Sequence, residues 1–159
     1  MTTTVSAPDH ARAATAARQR WLHLLAVSPV NSIDTLCAAM LDGHSFEWLR
    51  QPETGLYRLQ GRLDGGGDRF MLADVTVTRC ALRSAAGTAG VGYVTGRAAH
   101  HCAQMARLDA LLQTETLRDM LLASVIEPLA QALSERHAAE RAATAHSRVN
   151  FYTMTPETL

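Results

Sequence analysis

Apolar positions recur along this chain with two different periods, and each change of period marks a new element. From Asp9 onward they come at helical spacing. Ala14, Ala17, Trp21, Leu24 and Leu25 share one face of a first helix. Ser28-Pro29 restarts the chain, with Ser28 as the expected N-cap and Pro29 at the first helical position. Val30, Ile33, Cys37, Met40 and Leu41 form the second buried stripe, and Gly43 is a suitable exit residue. These two segments predict an N-terminal helical hairpin.

The period then falls to two. Phe46 and Trp48 alternate with Glu47 and Leu49, and Pro52-Glu53-Thr54-Gly55 reads as a turn. Tyr57, Leu59 and Leu63 alternate with Arg58, Gln60 and Arg62, a half-buried strand ended by Asp64-Gly65-Gly66-Gly67. Short links predict neighbouring antiparallel strands. The third strand is the long one, and its apolar face changes phase. Phe70 and Leu72 point one way, Val75 and Val77 the other, Cys80 and Leu82 back again. Slips of one residue predict a bulge or bend near Ala73-Asp74 and another near Thr78-Arg79. Ala85-Ala86-Gly87-Thr88 turns the chain. In the fourth strand Gly90, Gly92, Val94 and Gly96 share a face, which implies close approach of another backbone or of a partner.

A third helix is predicted from about Ala98 to Gln113, with Cys102, Met105, Leu108 and Leu112 inward. Thr114 or Thr116 restarts a helix through Leu117, Met120, Leu121 and Val125, and Pro128 kinks or interrupts it. Beyond Ser134 the pattern is polar nearly all round, as in a solvated or partner-directed helix. Ser147 to Met154 reads as a short aromatic strand that must dock somewhere. The expected fold is therefore α+β: a helical hairpin, a four-stranded antiparallel meander, C-terminal helices and a short terminal strand. Residues 9–154 are expected to form one domain between tails at 1–8 and 155–159.

Composition narrows the function classes. With 159 residues the chain can bury a full core without staples. Fifteen basic and fifteen acidic residues cancel, which argues against bulk attraction to nucleic acid or to a membrane surface. Three widely spaced cysteines offer no C-x-x-C pair for a zinc knuckle or an iron–sulfur cluster, and free thiols in a reducing cytoplasm are expected. No secretory leader or long apolar run is evident. No metal site is expected: in a regular helix His100, His101 and Cys102 diverge by about 100° per residue.

Two clusters are candidates for chemistry. Asp74, Thr76, Thr78 and Arg79 could bind a polar ligand or order a subunit contact; the alternative is a half-exposed strand with an Asp–Arg pair. Arg97 and His101, four apart at a helix start behind Gly96, could form an anion site; the alternative is a simple cap.

The order of short motifs resembles a known family. These are Arg18-Gln19-Arg20-Trp21 with Leu24-Leu25-Ala26, Glu53-Thr54-Gly55-Leu56, Arg69-Phe70, and Asp74 through Arg79. Gly87-Thr88, Gly92-Tyr93, Gly96-Arg97, His101, Leu108-Asp109-Ala110-Leu111 and Gln113 follow. Ser147-Arg148-Val149, Phe151 and Thr153-Met154 come last. From about Arg18 to Met154 the chain resembles the PhnG family, the G subunits of the bacterial carbon–phosphorus lyase core complex. Ala98 and Asn150 depart from it, standing where the family pattern often has Asp.

The resemblance implies a cytoplasmic subunit that works with subunits H, I and J and the ATPase-like L, with a homodimer inside the complex. That assembly moves an alkylphosphonate onto the ribose C1 of ATP and releases adenine. ATP is then a substrate of the complex. The iron–sulfur cluster and S-adenosylmethionine belong to a partner subunit, and no cofactor is expected in this chain. Asp74, Thr76, Thr78, Arg79, Arg97, His101 and Arg148 are the ligand or interface candidates. A second reading is a self-sufficient anion- or nucleotide-binding enzyme using Arg79, Arg97 and His101.

Overall fold

The computed structural model describes residues 7–145. Helices α1 (Ala7–Val27) and α2 (Val30–Leu41) form the expected hairpin. Three strands follow: β1 (Phe46–Arg62), β2 (Arg69–Ser84) and β3 (Ala89–Thr95). They form one antiparallel sheet in the order β1-β2-β3. Helices α3 (Ala99–Leu112) and α4 (Glu115–Leu121), a π-helical turn (Leu122–Ile126) and α5 (Glu127–Ala145) complete the described chain. The fold is α+β, with three strands where four were expected. The terminal strand expected at Ser147 to Met154 and its candidate Arg148 lie outside the described residues.

The fourth strand was lost at Pro52. Pro52-Glu53-Thr54-Gly55 is not a turn but part of β1, where the register slips between Arg50 and Glu53. β1 is an edge strand, so a residue without an N–H is tolerated there at a bulge. The slip expected near Ala73-Asp74 is present: Leu59 pairs with Ala73 and Gln60 with Met71, leaving Leu72 extra. The one expected near Thr78-Arg79 is not in β2. Thr78, Cys80, Leu82 and Ser84 continue in phase along the helix-facing side. The residue that hid this phase is Thr78, a polar side chain fully buried among apolar ones.

The helices cover one face of this sheet. α3 lies against it, and Cys102, Met105, Leu108 and Leu112 are buried as expected, along with most of the other α3 positions. Gly90 and Gly92 explain how closely it lies. A Cβ on Gly90 would stand 2.0 Å from the Ala106 carbonyl oxygen, and one on Gly92 would stand 2.1 Å from that of Cys102. The glycine face of β3 is therefore occupied by the chain's own helix rather than by a partner.

Around α3 close Trp21, Leu24 and Leu25 from α1, Ile33 and Cys37 from α2, and Leu121, Val125 and Leu129 from the C-terminal helices. Ser28 closes α1 instead of capping α2: its hydroxyl donates to the Leu24 carbonyl at 2.7 Å, and Pro29 takes the N-cap position. Gly43, at φ +81°, ends the hairpin in a turn where His44 N–H reaches the Leu41 carbonyl. Pro128 does interrupt the helix, which widens into the π turn just before it.

The other sheet face carries no helix. Past Thr95, where β3 ends, β2 is accompanied only by β1. There Tyr57, Leu59 and Leu63, expected to be half-buried, are exposed because no helical layer reaches them.

Candidate functional site

The polar candidates are distributed over both faces of the sheet. Asp74 and Arg79 are exposed, and each is paired across the strands. Asp74 accepts from Arg58 Nε at 3.1 Å, and Arg79 Nε donates to Glu53 at 2.8 Å. Arg79 shares the open face with Tyr57 and Tyr93, whose rings meet edge to face at 6.0 Å. The Thr76 carbonyl accepts the Gly96 N–H at 2.8 Å.

Thr78 faces the helices instead. Its hydroxyl donates to the Gly96 carbonyl at 2.6 Å and accepts the Ala98 N–H at 3.1 Å. Thr54 Oγ1 stands 3.1 Å away, and with the Thr78 proton given to Gly96 it is Thr54 that donates. One buried hydroxyl thus holds both sides of Arg97. Gly96 serves this loop through its backbone, at φ +84°, with open space where a Cβ would be, and not by close approach to anything. Thr78→Val keeps the shape and leaves those three polar groups without their partner. We expect about 1–3 kcal/mol of lost stability, read by urea unfolding, with faster amide exchange at Gly96 and Ala98.

Arg97 itself is exposed, and among the described residues it has no partner. His101 does not join it. The His101 Nε2 proton goes to the Leu25 carbonyl at 2.7 Å, tying α3 to the end of α1. His100 bonds the Asp34 carboxylate at 2.9 Å, and Gln104 donates to the same carboxylate at 2.7 Å. The Gln104 bond and then the histidine hold Asp34 below the usual carboxylate range. His100, His101 and Cys102 therefore point three ways, and no metal-holding cluster occurs among the described residues. Ala98 is the N-cap of α3 and supplies no side-chain cap. An Asp at this position would stand where a carboxylate accepts backbone N–H groups.

Cys80 and Cys102 lie sulfur to sulfur at 3.2 Å, both buried and both free. The hydrogen bond with Cys80, followed by burial, pushes the Cys102 thiol up. Burial does the same to Cys37. The bond from Cys102 lowers the Cys80 thiol instead, against its burial, so Cys37 and Cys102 are held as thiols, the less reactive form.

Among the described residues the most heavily bonded polar group is Asp109, to which the sequence alone assigns no role. Its carboxylate is fully buried on α3. It takes Arg18 Nε at 3.1 Å and the second guanidinium nitrogen at 2.6 Å. Trp21 Nε1 donates to it at 3.0 Å and the Val91 backbone N–H at 2.9 Å. Four hydrogen bonds from three donor residues, two of them from one forked guanidinium, make such burial tolerable. The available signal was Arg18-x-x-Trp21, which puts a cation and an indole N–H on one helical face. Arg18 and Trp21 also line a groove of about 910 Å³ between α1, the π turn and α5, which is mostly apolar.

The comparisons with known proteins follow this framework. Residues 16–156 match the family described as phosphonate metabolism protein PhnG. A relative from Rhizobium meliloti (strain 1021), named alpha-D-ribose 1-methylphosphonate 5-triphosphate synthase subunit PhnG, is 32% identical over 142 residues. The match covers 89% of this chain and 90% of that protein. The segments it spans include the Arg18–Trp21–Asp109 bracket, the Thr78 anchor and the glycine face of β3, and the chain belongs to the PhnG family.

Proposed function

We propose that this chain is the G subunit of an alpha-D-ribose 1-methylphosphonate 5-triphosphate synthase, and that its part in the enzyme is mainly architectural. The relative bearing that name supports the assembly. The observation that carries the architectural role is how the polar candidates are used. Asp74, Thr78, Arg79 and His101 each make a bond within the fold, and among the described candidates Arg97 alone is exposed without one. The self-sufficient reading needs Arg79, Arg97 and His101 to act together. Arg79 lies on the open sheet face and His101 is turned to α1, so that reading loses its support.

In this function the partners are subunits H, I and J and the ATPase-like L, with two copies of this chain in the complex. ATP is the substrate of the assembly, while the iron–sulfur cluster and S-adenosylmethionine reside on a partner. No helix among the described residues is long and apolar enough to cross a membrane, which fits a complex in the cytoplasm. Arg97 is the group of this chain best placed to approach a phosphate-bearing substrate.

The test is release of adenine from ATP in the presence of methylphosphonate. The isolated chain is expected to release none above background. Subunits H, I and L with this chain are expected to release it at least ten-fold faster than the same mixture without it. Release by the isolated chain sinks the architectural reading, and an unchanged rate on omitting it sinks the assignment to the synthase.

A further inference from the structure

Two free thiols meet where the sheet and its covering helix are closest. Cys80 on β2 pairs directly with Gly92 on β3. Cys102 closes the first turn of α3, its N–H on the Ala98 carbonyl at 2.9 Å. Its own carbonyl oxygen fills the space above Gly92. Packed layers ordinarily stand about 8–10 Å apart. Two Cα atoms more than about 7 Å apart cannot be bridged by a disulfide without backbone movement. The missing side chains at Gly90 and Gly92 let α3 down onto the sheet, and the two sulfurs touch at 3.2 Å. A disulfide spans about 2.0 Å, so closing the pair takes a movement of about 1.2 Å.

The two side chains are bonded as a unit. Cys80 Sγ donates to the Cys102 carbonyl at 3.2 Å. Cys102 Sγ lies against Cys80 Sγ, with the Thr78 carbonyl at 3.5 Å. Cys37 takes no part: its sulfur turns to its own helix, 4.0 Å from the Asp34 carbonyl. Cys80 is 4% exposed and Cys102 not at all, so a small oxidant meets Cys80 first. Cys80 also has the lowered thiol of the two, through the bond from Cys102.

We propose that Cys80 and Cys102 form a dithiol that a peroxide closes, reversibly, into a disulfide stapling α3 to β2. The Cys80 sulfur attacks one peroxide oxygen. The O–O bond breaks, the thiol proton leaves with the second oxygen as water, and a sulfenic acid remains on Cys80. The Cys102 sulfur then attacks the Cys80 sulfur. The S–O bond breaks, the S–S bond forms, and the second thiol proton departs with the hydroxyl as water. Two electrons pass from the sulfurs to the peroxide. The bond joins residues 22 apart, which restricts the unfolded chain. It also lies beside the loop of Arg97, which Thr78, two residues before Cys80, holds through Gly96 and Ala98.

The experiment treats the reduced full chain with hydrogen peroxide under native conditions and in urea, then digests it with trypsin. Cleavage after Arg79, Arg83, Arg97 and Arg107 isolates residues 80–83 and 98–107. The native sample is expected to give these two peptides joined, short of two hydrogens. Its melting temperature is expected to rise by about 5 °C or more, with slower amide exchange at Gly96 and Ala98. Dithiothreitol is expected to reverse all three changes, and Cys37→Ala to preserve them. In Cys102→Ala the sulfenic acid on Cys80 is expected to be trapped by dimedone, and Cys80→Ala to give no adduct on Cys102. The bond itself is read on the parent chain, whatever the folding of the variants. Thiols at 80 and 102 that stay free in the native chain, a link through Cys37, or a link formed only in urea overturns the proposal. A link that leaves the melt unchanged or lowers it overturns the staple, and an adduct on Cys102 overturns the order of attack.

Discussion

Asp109→Ala should lower the melting temperature by roughly 10 °C, because breaking a buried ion pair costs about 3–5 kcal/mol and each kcal/mol moves a domain of this size by about 2–4 °C. The cost comes from the groups left behind. The Trp21 indole N–H and the Val91 amide lose their acceptor in a dry site, and Arg18, 35% exposed, loses its counter-charge. Asp109→Asn keeps the volume but offers the guanidinium only one acceptor oxygen, so it should fall between Ala and the parent. Arg18→Ala is expected to cost less, about 1–3 kcal/mol, since removing a partially solvated donor leaves a carboxylate that still has two others. Calorimetry on the four proteins of the Arg18/Asp109 cycle measures the coupling. A coupling near zero would mean that the Arg18–Asp109 pair itself adds nothing to the fold.

Gly90→Ala should be as damaging despite adding a single methyl. The new carbon would overlap the Ala106 carbonyl oxygen and the Ala110 amide nitrogen, both backbone atoms of a helix that cannot step aside singly. Overpacking with flexible neighbours costs about 1–3 kcal/mol. Here α3 must lift off β3 as a unit, and a loss of about 3 kcal/mol or more is expected. Gly55→Ala is the control: nothing lies within 4 Å of its Cβ position, so a change of about 0.5 kcal/mol or less is expected. Urea unfolding of the three proteins decides it. A Gly90→Ala chain as stable as the control would show that the helix and strand are not in backbone contact.

Much of this could be read from the chain, and the misses have identifiable causes. The helical hairpin, the glycine turns and the long β2 strand follow from period and turn chemistry. The close approach at Gly90 and Gly92 followed from their missing side chains, and of the two expected neighbours, another backbone or a partner, it is the backbone of α3 that lies there. Pro52 was misread because Pro-Glu-Thr-Gly has the composition of a turn, whereas an edge strand can absorb it as a bulge. Thr78 was misread because a phase rule counts a threonine as polar, and its burial depends on Gly96 and Ala98, which are distant in sequence. Asp109 stands in the Leu108–Leu111 motif with no role legible there, since nothing local shows that Arg18 and Trp21 will close on it. His101 was placed with Arg97 by spacing, but the free carbonyl at the end of α1 claims it first.

The bonds that Val91 and Tyr93 make with α3 have a consequence for the chain before it meets its partners. Their amides are taken by the Asp109 carboxylate and the Met105 sulfur, at 2.9 Å and 3.4 Å. β3 is a border strand of the sheet, and borders of this kind recruit other chains into aggregates when their amides are free. Here the helix that builds the core also shuts that border. Newly made copies are therefore shielded along β3 from stacking on one another.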